Sequence, residues 1–398
     1  MHISERASSV QASPIRRLVP LANQAKARGL HVYHLNIGQP DIETPKEYWD
    51  AIKNYDVKVL AYGESGGLPE FRKGLVGYYN KYGVSVSHED ILITTGGSEA
   101  LLFTLLTICN AGDEVIIPEP FYTNYNSFST MAGVKVVPIP GSAANGFRLP
   151  TKAEFEARIT PRTKAILFCN PGNPTGVVYT RDELEVLASL AKEHNLFLVA
   201  DEVYREFIYD GVFTSILTLP GLEQHAIIAD SISKRYSACG ARIGNIVTKN
   251  KDVIGAALKF GQARLCPPTL EQIGAIAALD VPESYFAAVK NEYIRRRDVI
   301  YEGINAIPGA STYLPKGAFY TIAKLPIDNA DSFASWMLTE FNHEGATTMV
   351  APANGFYATP GMGEDEVRLA YVLNVEDLKK AMEVLKQGVA EYRRVKGL

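Results

Sequence analysis

Apolar residues along the chain follow two spacings. Short runs rich in β-branched residues (Ile91–Thr94, Glu114–Ile117, Lys135–Val137, Lys164–Phe168, Leu196–Ala200, His225–Ala229 and Gly244–Thr248) alternate with longer stretches of helical period. A helix opening at Ser98 and another over Arg181–His194 are the plainest of the latter. Continuous apolar runs of this kind predict strands buried on both faces, and the helices between them predict the crossovers of a parallel sheet. The pattern is α/β.

The character changes after Gly255. A long helical stretch to Leu279 breaks at Pro282, and a second runs from Ser284 to Asn305. The second carries Arg295-Arg296-Arg297-Asp298, expected to be a solvated helix face. Shorter strands follow at Ala318–Ile322 and Val367–Val372, and an amphipathic helix over Val375–Arg394 closes the chain. Pro14, Pro20, Pro40 and Pro45 mark the beginning as an arm with a short helix. The expected organisation is an arm over 1–45 packing with the small unit, a large unit over 46–283, and a small α+β unit over 284–398. The large unit carries a mainly parallel sheet flanked by helices.

Composition narrows the class. The chain has 398 residues, 46% of them apolar and 21% charged, with a formal net charge of −4. That is enough to bury a large core, and it offers no basic footprint for nucleic acid or an anionic membrane. Cys109, Cys169, Cys239 and Cys266 lie far apart with no CxxC, as expected of free thiols in a reducing compartment. The polar start of the chain and the brevity of the longest apolar run, Ala100–Cys109, give cytoplasmic placement as the expectation.

Ligands of a parallel sheet collect beyond the carboxyl ends of its strands, so the residues placed there matter most. Thr95-Gly96-Gly97-Ser98-Glu99 is a glycine turn opening a helix, a seat suited to phosphate, although Gly-Gly also opens ordinary helices. Asn170-Pro171-Gly172-Asn173-Pro174-Thr175-Gly176 is a stiff turn offering the Asn173 amide. Asp201, with Tyr204 three residues on, ends an apolar strand, where a carboxylate is costly unless it meets a cation. Asp230-Ser231-Ile232-Ser233-Lys234 then brings a lysine to a strand end, a candidate Schiff-base nucleophile. Arg242 follows between Gly240 and Gly244. Each of these alone is more often structural; together, in order along one edge, they outline a site.

The set Asn-x-x-Asn-Pro-Thr-Gly, Asp-x-x-Tyr, Ser-x-Ser-Lys and Gly-x-Arg-x-Gly resembles the class I/II aminotransferases, pyridoxal-phosphate enzymes of fold type I. The resemblance runs from Asn36-Ile37-Gly38-Gln39-Pro40-Asp41 to Arg368-Leu-Ala-Tyr. It implies ping-pong transamination between an L-amino acid and a 2-oxo acid, through aldimine, quinonoid and ketimine stages. It implies Lys234 as the residue bonded to the cofactor, Asp201 on the pyridinium nitrogen, and Tyr204 and Asn173 on the ring hydroxyl. Tyr122 is implied as the ring-stacking aromatic. Gly97, Ser98, Glu99, Ser231, Ser233 and Arg242 are implied as the phosphate cradle. Arg368 is implied as the α-carboxylate clamp, with Asn173 and the Gly38 backbone. Tyr62 is implied to reach the cofactor of a neighbouring subunit, making the partner a second copy in a homodimer with shared sites.

Other pyridoxal-phosphate chemistry (a carbon–sulfur lyase, a decarboxylase, a ring-forming synthase) uses the same residues and is the alternative. Ser98 stands where the aspartate-type branch often has a lysine, so aspartate is not implied as the donor. Arg264 is a candidate for a distal carboxylate or, with more weight, for a surface or interface salt bridge. Ala241 replaces a bulkier residue, Cys239 is expected as a small buried filler, and His31 with His34 makes a poor metal pair on a strand.

Overall fold

The computed structural model describes residues 1–398. Its main sheet has seven strands in the order Ile91–Thr94, Gly244–Val247, Ala226–Ser231, Phe197–Asp201, Thr163–Cys169, Glu114–Glu119 and Lys135–Pro140. Every strand runs in one direction except Gly244–Val247, which is antiparallel to both its neighbours. Alternating helices and strands had suggested crossovers throughout. Only the four-residue helix Ile232–Arg235 and one 3₁₀ turn separate Ala226–Ser231 from Gly244–Val247. That is too short a path to return parallel, so the chain turns back beside the strand it has just left.

The two plainest flanking helices form where the pattern places them, whereas the single stretch expected up to Leu279 is two helices, Lys251–Arg264 and Thr269–Ala278, parted at Cys266-Pro267-Pro268. Arg181–Glu193 begins at a capping box, Thr180 and Glu183 each bonding the other's backbone N–H. Its buried face is Leu184, Leu187, Ala188, Leu190 and Ala191. Each leucine removed from water there contributes roughly 1.5–3 kcal/mol. The helix predicted from Ser98 begins two residues earlier, at Gly96, directly after the strand Ile91–Thr94.

A second, antiparallel sheet orders Ala351–Pro352, Glu366–Ala370, Tyr320–Lys324 and Ser311–Thr312. Beside it, His31–His34 pairs parallel with Ala346–Met349, so the amino-terminal segment is bound to the carboxyl-terminal third of the chain. The long helices Glu283–Asn305 and Val375–Lys396 pack on each other. The expectation for the arginine run is corrected here. Arg295 is solvated, but Arg296 is buried and donates to Asp41, to Glu292 and to the Val372 carbonyl. Arg297 is largely covered as well.

Strand register sets the site. Cys169 lies opposite Asp201, Asp201 opposite Ala229, and Ser231 and Thr94 both opposite Gly244. The carboxyl ends of four strands therefore share one edge with the start of the antiparallel strand.

Candidate active site

At one end of this edge the helix Gly96–Ile108 opens with its first N–H groups free of a side-chain cap. The approach is close enough to require glycine. A Cβ on Gly96, whose φ is +76°, would lie 2.2 Å from Arg242 Nη2, and one on Gly244 would lie 2.4 Å from the Gly96 carbonyl carbon. Arg242 itself takes a left-handed φ of 55° and donates to the Cys239 carbonyl at 3.0 Å. Ser231 and Ser233 hydroxyls lie 2.7 Å apart, and the Ser231 hydroxyl donates to the Ile243 carbonyl at 2.8 Å. Free helix N–H groups, a guanidinium and two hydroxyls form a seat for a dianion.

Glu99 turns its side chain back to accept from the Thr95 N–H at 2.7 Å and to pair with Arg264 at 3.2 Å. Arg264 also donates to the Ser65 carbonyl at 3.1 Å. It is thus an internal strut holding the start of the helix, and its carboxylate partner belongs to its own chain.

At the opposite end Asp201 is buried. It accepts from the Tyr125 hydroxyl at 2.9 Å and from the Val203 N–H at 3.3 Å. Burial pushes its carboxyl up to about 6, the two hydrogen bonds oppose that, and the Asp230 carboxylate adds to it. Tyr122 stands next to this pair, its ring edge-on to Tyr125 with centroids 5.6 Å apart and its hydroxyl accepting from the Asn124 amide at 2.8 Å.

Lys234 reaches across from the short helix Ile232–Arg235. Its Nζ donates to the Gly38 carbonyl at 2.7 Å and lies 3.6 Å from Cys239 Sγ. Burial lowers its pKa, Cys239 counteracts this, and Arg368 and Arg242 lower it further. Cys239 is therefore more than a filler, since it touches the amine. Gly38 is held where only glycine fits, because a Cβ would fall 1.8 Å from the Tyr320 hydroxyl.

Arg368, on the central strand Glu366–Ala370, is 1% exposed and faces no carboxylate. One guanidinium arm donates to Asn173 Oδ1 at 3.1 Å and the other to the Asn36 carbonyl at 2.6 Å. Its Nε has no partner, and burial lowers its pKa. Its guanidinium carbon lies over the rings of Tyr320 and Phe356 at 4.6 and 4.8 Å. The Asn173 amide donates to the Tyr204 hydroxyl at 3.4 Å, and that hydroxyl lies 2.9 Å from the Tyr320 hydroxyl.

Lys234, Asp201, Tyr204, Asn173, Arg368 and Gly38 thus come together, with Gly97, Ser98, Ser231, Ser233 and Arg242 lying along the same strand ends. Tyr62 is not brought in; it stands 81% exposed beside the exposed Val59 and Leu60. Sequence reasoning missed Tyr125, Tyr320 and Asn36. Tyr125 carries a faint signal, three positions after the singled-out Tyr122, and Asn36 opens the motif Asn36–Asp41 without a role of its own being assigned there, whereas Tyr320 carries none in its own neighbourhood.

Comparison with known proteins agrees with this geometry. The family model described as "Aminotransferase class I and II" matches residues 31–385. Aromatic-amino-acid aminotransferase 2 of Thermococcus litoralis is 33% identical over 406 aligned residues, covering 99% of this chain and 100% of that protein. The solved alanine aminotransferase from Pyrococcus furiosus superposes with a TM-score of 0.89 at 31% identity, covering 98% of this chain and 100% of that one. An aspartate aminotransferase of Thermus thermophilus, solved as a single mutant, gives a TM-score of 0.88 at 30% identity, with coverage of 98% and 100%.

Proposed function

The chain belongs to the class I and II aminotransferases, and from that footing we propose the roles of the residues gathered at the sheet edge. The protein is a pyridoxal-phosphate-dependent enzyme that moves an amino group from an L-amino acid to a 2-oxo acid. The residues present fit that cofactor. The glycine-tight seat beside Arg242 suits a phosphate, and a buried carboxylate at the other end suits a ring nitrogen that carries a proton. Gly97 and Glu99 through their N–H groups, Ser98, Ser231, Ser233 and Arg242 hold the phosphate. Asp201 holds the ring nitrogen, Tyr204 and Asn173 the ring hydroxyl, Tyr122 the ring face, and Lys234 the covalent link.

When bound, pyridoxal phosphate supplies an electron sink that makes the Cα–H of an amino acid acidic. The protein supplies the rest. The guanidinium fork of Arg368, with Asn173 and the Gly38 backbone, grips the α-carboxylate and so fixes the direction of the Cα–H bond. Burial favours the neutral form of the Lys234 amine, which takes the Cα proton as a base. Once protonated, Nζ is the acid that would deliver that proton to C4′ of the cofactor within the same half-reaction, and with the 2-oxo acid the two roles run in reverse. Asp201 keeps its charge above its raised pKa and stabilises positive charge at the ring nitrogen.

The observation that carries this reading is Arg368, a fully buried cation with two neutral partners, an unpartnered Nε and no anion of its own. A substrate carboxylate completes it. The named relatives act on different donors, so the donor is open by name, and Ser98 offers no cation for a distal carboxylate. The test is a panel of amino donors against the cofactor-loaded protein, watching conversion of the bound cofactor to its amino form and its reversal by 2-oxoglutarate. Absence of conversion with every donor overturns the assignment.

We further propose a homodimer in which Tyr62 completes the partner's phosphate seat; its exposure beside Val59 and Leu60 supports a covering copy. The division at 45 and 283 is retained as a proposal, supported by the separate sheets. Cytoplasmic placement is proposed from the four free cysteines. No helix is long and apolar enough to cross a membrane.

A further inference from the structure

Beneath the site lies a cluster of buried charges with no role in the proposal above. Glu202 follows Asp201, Asp230 precedes Ser231, and Arg235 follows Lys234. Neighbours on a strand point to opposite faces, so Glu202 and Asp230 meet below the sheet edge while Asp201 and Ser231 face the site. Arg205 joins them. Its Nη2 donates to Glu202 at 2.7 Å and its Nη1 to Asp230 at 3.0 Å. The same Asp230 oxygen accepts from Arg235 at 2.5 Å and from the Tyr79 hydroxyl at 2.9 Å, while its other oxygen takes the Ser231 N–H at 2.7 Å. Glu202 is completed by the Ser215 hydroxyl and the Ile216 N–H. All four charged side chains are 1–2% exposed. Arg235 lies 3.7 Å over the ring of Tyr78, and Arg205 4.9 Å over that of Tyr79.

Four buried charges are a poor way to gain stability, because desolvation consumes most of what their attraction returns. Two of their N–H-bearing atoms, Arg205 Nε and Arg235 Nη1, are left without partners. Placement is what the cluster accomplishes. Each member is the chain neighbour of a residue assigned to the cofactor, Arg205 following Tyr204, and Arg205 also ties two of the strand ends together. We propose that Arg205, Glu202, Asp230 and Arg235 form a charge-neutral brace that fixes Lys234 relative to Asp201 and Ser231 and sets the potential felt at Lys234. They are positioning residues, and the inference rests on the roles of Lys234 and Asp201 proposed above.

The titratable and charged groups facing Lys234 are Cys239, Arg368 and Arg242, and it acts in turn on Asp201. Asp201 is faced by Tyr125 and Asp230, with Tyr122 and Tyr204 also in its field. The brace acts on this group through the balance of Asp230 against its two arginines.

The test uses the cofactor-loaded protein and reads the pH midpoint of its visible absorbance band, together with Tm. At an effective dielectric constant near 20, a unit charge on the order of 10 Å away moves a titration by about one pH unit. Arg235→Met removes a cation, favours the protonated form at Lys234, and is expected to raise the midpoint by about half to one unit. Glu202→Gln, nearly isosteric, removes an anion and is expected to lower it by a similar amount. The double variant Asp230→Asn/Arg235→Met, neutral again, is expected to return to within about 0.2 unit while its Tm stays low. Leu187→Ala, in the helix Arg181–Glu193, lowers Tm without moving the midpoint. Unmoved midpoints in both single variants, or movement in the same direction, overturn the brace, and Glu202→Gln decides alone if Arg235→Met does not fold. A band that still titrates in Lys234→Ala overturns the role of Lys234 and the brace with it. A band lost in Lys234→Ala but unmoved in the brace variants overturns the brace alone.

Discussion

Asp201→Asn should make the cofactor-free protein more stable while making it a worse enzyme. Burial raises the Asp201 carboxyl from its ordinary 3.8 to about 6. The gap, at about 1.4 kcal/mol per pH unit, makes the ionised side chain cost the folded state about 3 kcal/mol at neutral pH. Asparagine keeps an oxygen for the Tyr125 hydroxyl and carries no charge to desolvate. Because the folded form binds the proton more tightly than the unfolded form, the penalty is full above about pH 6. It fades as pH falls and is gone below about 3.8. For 398 residues melting together, relief of 3 kcal/mol corresponds to a rise of about 2–4 °C in Tm. The assay is thermal unfolding of stripped wild type and variant at pH 7.5, 6 and 5, with the advantage of the variant falling to roughly half at pH 5. Cofactor affinity should fall by about tenfold or more, since the ring nitrogen loses its counter-charge. An Asn variant no more stable than wild type at pH 7.5, or an advantage independent of pH, refutes the reasoning.

Arg368→Lys keeps the charge and loses the fork, so kcat/KM should fall about 10- to 100-fold for every amino donor alike, measured by single-donor kinetics. Arg264→Ala breaks the pair with Glu99 and the bond to the Ser65 carbonyl, so it should lower Tm and weaken acidic and neutral donors equally; a selective loss for acidic donors would show that it reads substrate. Tyr62→Ala and Lys234→Ala, each inactive alone, should regain partial activity when refolded together, because one hybrid site carries neither lesion. Heterodimers without recovery would confine Tyr62 to its own subunit.

What the sequence disclosed was local. The strand-end residues Thr94, Asp201 and Ser231 sit at the close of apolar runs, and the glycine turns beside them stand out against helical spacing. Partners from far along the chain did not show. Lys234 meets Gly38 across 196 positions and Arg368 meets Asn36 across 332, and nothing near either residue announces its partner. Tyr320 and Tyr125 are two of 21 tyrosines, and an amphipathic residue in a buried strand or helix looks the same whether its hydroxyl serves packing or a site. Arg296 was misread for the same reason. Its three neighbours are charged, so the run looked solvated, and the partner that draws it inside, Asp41, lies 255 residues away. The strand Gly244–Val247 has the apolar run of its parallel neighbours, and only the shortness of the preceding connection sets its direction.

Two kinds of buried charge stand a few residues apart, and the contrast explains the site. Below the sheet edge, Glu202, Asp230, Arg205 and Arg235 are matched two against two. Above it, Asp201 and Arg368 are buried and Lys234 is half-buried, each with neutral partners, and loss of water moves each toward its uncharged form. A protein selected only for stability would match the upper set as it has matched the lower. Leaving these three unmatched destabilises the empty protein. With the roles proposed above, a ring cation, a covalent carbonyl carbon and a carboxylate would each find a group already largely stripped of water and held in place. In that proposal the ligands relieve this cost, and the matched set, as the proposed brace, keeps the unmatched one from relaxing in their absence.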